Sequence, residues 1–222
     1  MNTLTTAPVA PLLDRLFAEA AQITPSSIPA LADLMARGDH THLMRSKTEY
    51  RMFYSALKDL PLAVSREAGT LLYMLARGSN ARTIVEFGTS FGLSTLHLAA
   101  ALRDNGGGRL ITTEFEPSKV ARARENLAAG GLIDLVEIRE GDALQTLATD
   151  LPQTIDLLLL DGAKALYPEI LDLVETRLRP GAYIVADNAD HSPDYLARVR
   201  DPAYGYLSLP FGEDVELSLK LR

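Results

Sequence analysis

The sequence predicts an α/β protein with a doubly wound, mostly parallel seven-stranded sheet, an N-terminal helical cap and a C-terminal antiparallel hairpin. Three observations predict it. From Thr83 onward, short apolar runs alternate with amphipathic stretches in repeated strand–helix units. The apolar run Ile155–Leu160 has the character of a strand buried on both faces of a parallel sheet. The final stretch instead alternates residue by residue about a turn containing Pro and Gly, which is a hairpin pattern.

The elements follow in order. Over the first ~80 residues the periodicity is helical: Leu12, Leu13, Leu16, Phe17 and Ala20 form one apolar stripe, and Leu31, Leu34 and Met35 another. Leu71, Leu72 and Leu75 lie on a helix that begins at Ala68 and stops at Gly78, since glycine favours a helix end. Then come strand Thr83–Phe87, helix Leu93–Arg103, strand Leu110–Thr113, helix Pro117–Ala129, strand Leu135–Ile138 and a short helix near Ala143–Ala148. Strand Ile155–Leu160, helix Tyr167–Leu178 and strand Ala182–Ala186 complete the parallel part, with Pro180-Gly181 read as a turn. Tyr204–Leu209 and Val215–Leu221 form the hairpin across residues 210–214. No linker, repeat or low-complexity tract divides the chain, so residues 1–222 are expected to form one domain, a cap over 1–64 and a core over 65–222.

Composition limits the function. The chain has 22 Lys+Arg against 29 Asp+Glu, a net charge of −7, which argues against a nucleic-acid or anionic-membrane partner and for a small molecule. With no cysteine there is no disulfide, thiolate metal site or thiol nucleophile. The start of the chain lacks a signal-peptide pattern and no apolar run is long enough to span a membrane, so a cytoplasmic location is expected.

The segment Val85 to Ser94 joins the first core strand to its helix. Gly88 and Gly92 there permit close backbone approach to a ligand. A dinucleotide fingerprint requires a glycine where Ser90 stands, so a nicotinamide cofactor is disfavoured. The second strand runs into Glu114, the position at which doubly wound folds hold ribose hydroxyls.

Glu86-Phe87-Gly88, Ser94, Thr113-Glu114, Gly141-Asp142-Ala143, Asp161-Gly162-Ala163-Lys164 and Asp187-Asn188 together resemble the class I S-adenosylmethionine-dependent methyltransferases. More narrowly they resemble the cation-dependent O-methyltransferases that include the catechol and caffeoyl-coenzyme A enzymes; the resemblance covers Ser65 to Arg222. It implies that Glu86, Gly88, Ser90 and Ser94 line the methionine part of the cofactor, that Glu114 holds the ribose, that Asp142 and Ala143 lie against the adenine, and that Asp161 serves cofactor and cation alike.

Two strand ends carry a second constellation. In a parallel sheet all carboxyl ends share one edge and neighbouring strands lie about 4.8 Å apart, so Asp161, Asp187 and Asn188 can offer oxygen ligands to one divalent cation. Such a set favours Mg²⁺, with open positions for an acceptor bearing two adjacent oxygens. Lys164 is the expected base, because a nearby cation and burial both disfavour its charged form; the resemblance points to the same lysine.

Beyond Asn188 the sequence departs from relatives that carry an aromatic residue and a glycine, so the acceptor is not borrowed from them. His191 is read as an exposed loop residue, His97 as a packing residue, and His40 and His42 as unconnected with zinc. The aromatic stretch Tyr50, Met52, Phe53, Tyr54 is either a lid or core and dimer contact. The expectation is a metal-assisted O-methyltransferase of a phenolic small molecule, as a homodimer; a metal-independent methyltransferase, a nicotinamide oxidoreductase and a non-catalytic binding protein are the alternatives.

Overall fold

The computed structural model describes residues 2–23, 40–212 and 214–222, with His40 described by its backbone alone. The predicted stripe Leu31, Leu34, Met35 lies outside them. The cap contains α1 (Val9–Gln22), α2 (His40–Arg45) and α3 (Tyr50–Ala56). The core follows as α4 (Arg66–Gly78), β1 (Thr83–Phe87), α5 (Leu93–Asp104), β2 (Arg109–Glu114), α6 (Pro117–Ala129), β3 (Val136–Glu140), α7 (Ala143–Thr146), β4 (Ile155–Leu160), α8 (Tyr167–Val174), β5 (Leu178–Ala186), α9 (Pro193–Arg200), β6 (Tyr206–Phe211) and β7 (Val215–Lys220).

The seven strands form one sheet in the order β3-β2-β1-β4-β5-β7-β6. β1 to β5 are parallel, while β7 pairs antiparallel with both β5 and β6. The order reverses at β1, whose two neighbours are β2 and β4, and a crevice at the carboxyl ends of the strands is expected there.

The period of two in β4 distributes its leucines between layers. Leu158 and Leu160 pack with Ile170, Leu171 and Tyr195 of α8 and α9, while Leu157 and Leu159 pack with Leu72, Leu98 and Leu102 of α4 and α5. Asp156, the polar member of that run, sits at its start, where it accepts the backbone N–H groups of Arg82 and Thr83 at 2.8 and 2.9 Å and an Arg179 Nε–H at 2.6 Å. Helix α5 is covered by other layers, and its residues from Leu93 to Leu102 are all buried. His97 lies within it with Nδ1 2.8 Å from the Leu93 carbonyl oxygen; its ring occupies the space a side chain at Gly69 would need. It is a packing histidine.

Several boundaries differ from the sequence expectation: the helix expected over Tyr167–Leu178 ends at Val174, and Leu178 already belongs to β5. Pro180-Gly181 lies within β5 rather than before it: Leu178 already pairs with Ile155, and the register shifts between Ile155 and Leu157 so that the extra residues bulge. The hairpin strand begins at Tyr206 and continues through Pro210, which is tolerated because β6 is the sheet edge and needs only one row of hydrogen bonds. Among the described residues, no helix is long and apolar enough to cross a membrane.

Candidate active site

The crevice opens where the loop after β1 passes the ends of β2 and β4. Gly88 holds φ +103°, and a Cβ there would stand 2.6 Å from the backbone carbonyl oxygen of Asp161, so the glycine is required twice over, for its conformation and for the close approach. Ser90 is also left-handed, at φ +48°. That twist directs its N–H to Glu114 Oε2 at 2.9 Å, and Glu114 Oε1 accepts the N–H groups of Phe115 and Glu116 at 3.0 Å each. Three backbone donors thus fix the carboxylate at the end of β2 before any ligand arrives.

A cleft of about 680 Å³, including its open mouth, runs along this edge. Its lining includes Glu114, Phe115, Asp142 and Ala143 towards one side, Gly88 and Ser90 in the middle, and Asp161, Gly162 and Leu166 towards the other. A smaller recess of about 180 Å³, lined by Leu62, Val64, Gly88, Ser90, Ser94 and Asp161, shares the loop with it. Asp142 caps α7 by accepting the Leu144 N–H at 3.1 Å, and its other oxygen is paired with Arg51.

Glu86 does not line either cavity, which corrects the expectation for it. Because side chains alternate along β1, Phe87 faces the cleft and Glu86 turns to α5, fully buried. There it accepts the hydroxyls of Ser94 and Thr95, both at 2.6 Å. Burial pushes its pKa up to about 7, although the hydroxyls of Ser94, Thr112 and Thr95 act to lower it. Glu86 therefore acts on the recess through Ser94: a serine that donates its proton to Glu86 leaves its oxygen lone pairs free for a cationic ligand group.

At the far end Lys164 Nζ donates to Asp161 Oδ1 at 2.9 Å and lies 3.5 Å from Asp187 Oδ2, so the ends of β4 and β5 converge on one positive charge. Burial and the neighbouring Asp161 push Asp187 up to about 7. Burial and the neighbours of Lys164 act on its charge in opposite directions. Burial does act to lower its pKa, but Tyr167, Asp161 and Asp187 outweigh that and raise it well above the ordinary value.

The carboxyls of Asp161 and Asp187 both approach Lys164 Nζ and repel each other, and they suit a divalent cation, whose charge would relieve that repulsion. Asn188 is not gathered with them. Its φ of +47° turns the amide to the hairpin, where Nδ2 donates to Asp214 Oδ2 at 3.0 Å. Among the described residues, no group of three or more His, Cys, Asp or Glu side chains is assembled for a metal.

His191 is half-buried rather than exposed, 3.6 Å from Asp190, and lies outside the cleft lining. His42 faces solvent near Glu49. The aromatic stretch of the cap divides by face: Phe53 is buried among Leu43, Leu57 and Leu60, Met52 is exposed, and Tyr50 and Tyr54 line the cleft. Arg51, Leu62 and Lys119 also line it, and none of these was singled out by the sequence. Lys119 is buried with Nζ 3.5 Å from Ser90 Oγ, and burial lowers its pKa.

A doubly wound sheet with a reversed hairpin, a glycine loop at the switch point and a fixed carboxylate at the end of β2 define a class I methyltransferase built to hold S-adenosylmethionine. A family described as "Methyltransferase domain" matches residues 85–189. The catechol O-methyltransferase of Niastella koreensis is 38% identical over 134 residues, covering 57% of this chain and 58% of that protein. The catechol O-methyltransferase of Mycobacterium tuberculosis is 34% identical over 173 residues, covering 78% of this chain and 70% of that protein. The O-methyltransferase TomG of Streptomyces achromogenes, involved in tomaymycin synthesis and solved in complex with SAM, superposes with a TM-score of 0.65 at 30% identity, covering 83% of this chain and 90% of that one. The chain belongs to the catechol O-methyltransferase family, within the S-adenosylmethionine-dependent O-methyltransferases.

Proposed function

We propose that the protein transfers the methyl group of S-adenosylmethionine to one hydroxyl of a small, catechol-like acceptor with two vicinal oxygens, assisted by a divalent cation, Mg²⁺ by the hardness of its ligands. The observation that carries this reading is the convergence of Asp161 and Asp187 beside the cofactor cleft. Glu114 would accept the ribose hydroxyls, Asp142 and Ala143 would border the adenine, and Gly88, Ser90 and Ser94 would hold the methionine part. Asp161 faces both the recess and the cleft and so would border methionine and acceptor together. Asp161 and Asp187 would ligate the cation, with Asn188 joining them on release from Asp214.

A bound divalent cation would supply Lewis acidity, lowering the pKa of an acceptor hydroxyl. Lys164 would take that proton on Nζ after its ammonium has released one to solvent, a release favoured by a second positive charge held by its two carboxylate partners. The freed acceptor oxygen would attack the methyl carbon while the C–S bond electrons remain on sulfur. The cleft would contribute position: near-attack geometry alone is worth several powers of ten in rate.

The Lys164 ammonium between the carboxylates and the Asn188–Asp214 bond favour a second reading, in which transfer proceeds without metal. Methyl transfer from labelled S-adenosylmethionine to vicinal dihydroxy aromatics, with Mg²⁺ and with chelator, separates the two. Activity that is lost in chelator and in Asp187→Ala, with cofactor affinity retained, supports the metal-assisted reading; equal activity in chelator refutes it. We also propose a homodimer through β6, an edge strand with Leu207, Leu209 and Phe211 exposed. Leu207→Lys should shift the sedimentation of such a dimer towards monomer, and a parent that sediments as monomer refutes it.

A further inference from the structure

Two hydroxyls that line the cleft are buried without a partner, those of Thr113 and Tyr54, and Tyr54 is the one beside Asp161 and Leu166. Its oxygen is shielded from solvent, and the backbone group nearest to pairing with it, the Lys164 N–H, can only donate, so the hydroxyl proton finds no acceptor among the described residues. The ring packs edge-on against Phe53, with centroids 5.1 Å apart, and against the core layer of α8 and α9. Tyr54 lines the cleft beside Asp161 and Leu166, and the charges of Lys164, Asp161 and Asp187 all act on its phenol. Tyr50, one helical turn earlier on α3, lines the same cleft.

A buried hydroxyl without a partner destabilises a fold, whereas phenylalanine would fill the same space with no such penalty. The hydroxyl proton, having no acceptor, therefore adds nothing to stability in the free protein. It lies close to Lys164, Asp161 and Asp187, at the end of the cleft where an acceptor oxygen would arrive.

We propose that Tyr54 is an acceptor-positioning residue whose hydroxyl donates a hydrogen bond to the oxygen that is not methylated, so that the cap decides which of two vicinal oxygens meets the methyl group. The inference rests on the proposed O-methyl transfer to a vicinal dioxygen acceptor. Donation to the spectator oxygen leaves the reacting oxygen free to lose its proton and attack. With an asymmetric catechol, that preference becomes a ratio of two methylated products.

The test uses Tyr54→Phe in the full chain, with three readouts. Melting without ligand should show the variant at least as stable as the parent, because an unpaired buried hydroxyl has been removed. Catechol binding in the presence of S-adenosylhomocysteine, measured by calorimetry, should weaken by about three- to tenfold, the worth of one hydrogen bond. Turnover of a ring-substituted catechol should show a raised KM and a product ratio moved towards equality, with cofactor affinity unchanged. A variant that melts lower and binds catechol as the parent does makes Tyr54 a structural residue and overturns the inference alone. A parent that neither binds nor methylates any vicinal diol overturns the proposed function, and the inference with it.

Discussion

Glu86 gives a prediction whose sign and size follow from its surroundings. Its carboxyl is fully buried and its pKa stands at about 7 against an ordinary 4.5, chiefly through burial. Below pH 4.5 the group is protonated in both the folded and unfolded chain and adds nothing to the pH dependence. Between 4.5 and about 7 the unfolded chain releases the proton while the folded chain keeps it, so this group's contribution to stability falls as pH rises. Above 7 the loss is complete. Each pH unit is worth about 1.4 kcal/mol, so the interval amounts to about 3 kcal/mol. Glu86→Gln keeps the shape and cannot ionise. Urea unfolding of parent and variant from pH 4.5 to 8 should therefore show a stability difference that moves by about 3 kcal/mol in favour of the variant as pH rises. Other titrating groups, Asp187 among them, contribute to both proteins and cancel. Parallel profiles across this window would show that Glu86 titrates normally and would refute the raised pKa that burial gives it.

Three further outcomes follow from the same geometry. Gly88→Ala places a methyl group 2.6 Å from the Asp161 carbonyl oxygen at a φ of +103°, so calorimetry should show cofactor affinity reduced by at least about tenfold. Glu114→Gln deprives one of three backbone N–H groups of its acceptor and removes the charge expected at the ribose; the loss in cofactor affinity should again be about tenfold or more. Arg51→Ala removes an exposed ion pair with Asp142 across the mouth of the cleft, and because such pairs are worth at most about 1 kcal/mol, cofactor affinity should fall less than about fivefold while its salt dependence becomes shallower in equilibrium titrations.

What the sequence revealed, and what it hid, has a physical pattern. The strands were legible because parallel strands buried on both faces must be apolar, and the strand-end carboxylates stood out against those runs. Gly88 was legible because only glycine suits its backbone and its neighbour. The direction of Glu86 was a consequence of the period of two and could have been read from Val85 and Phe87 on either side, but a motif-based reading overlooked the alternation. The Lys164 charge depends on a balance between burial, Tyr167 and two carboxylates, and a sequence shows neither the burial nor the distances. Asn188 depends on a single left-handed torsion, for which the sequence carries only the general tolerance of Asn.

The least legible part is the cap, and the reason bears on function. Arg51 and Tyr54 reach Asp142 and Asp161 across more than half the core sequence, so no local pattern announces them. Aromatic residues on a short helix ordinarily signal packing, and Phe53 does pack. The groups that handle charge come from the rigid edge of the sheet, where backbone donors fix Glu114 and strand pairing fixes Asp161 and Asp187. Those that would meet the acceptor come from α3, a helix of two turns that packs on the core through Tyr50 and Tyr54 and is joined across the mouth of the cleft by the Arg51–Asp142 ion pair, with Lys47–Glu169 just before it. Exposed pairs are weak and salt-sensitive, so this wall of the cleft can adjust at small energetic cost while the carboxylate edge cannot. Acceptor choice should accordingly change through substitutions at Tyr50 and Tyr54 without loss of cofactor binding, whereas changes at Glu114 or Gly88 should affect every acceptor equally.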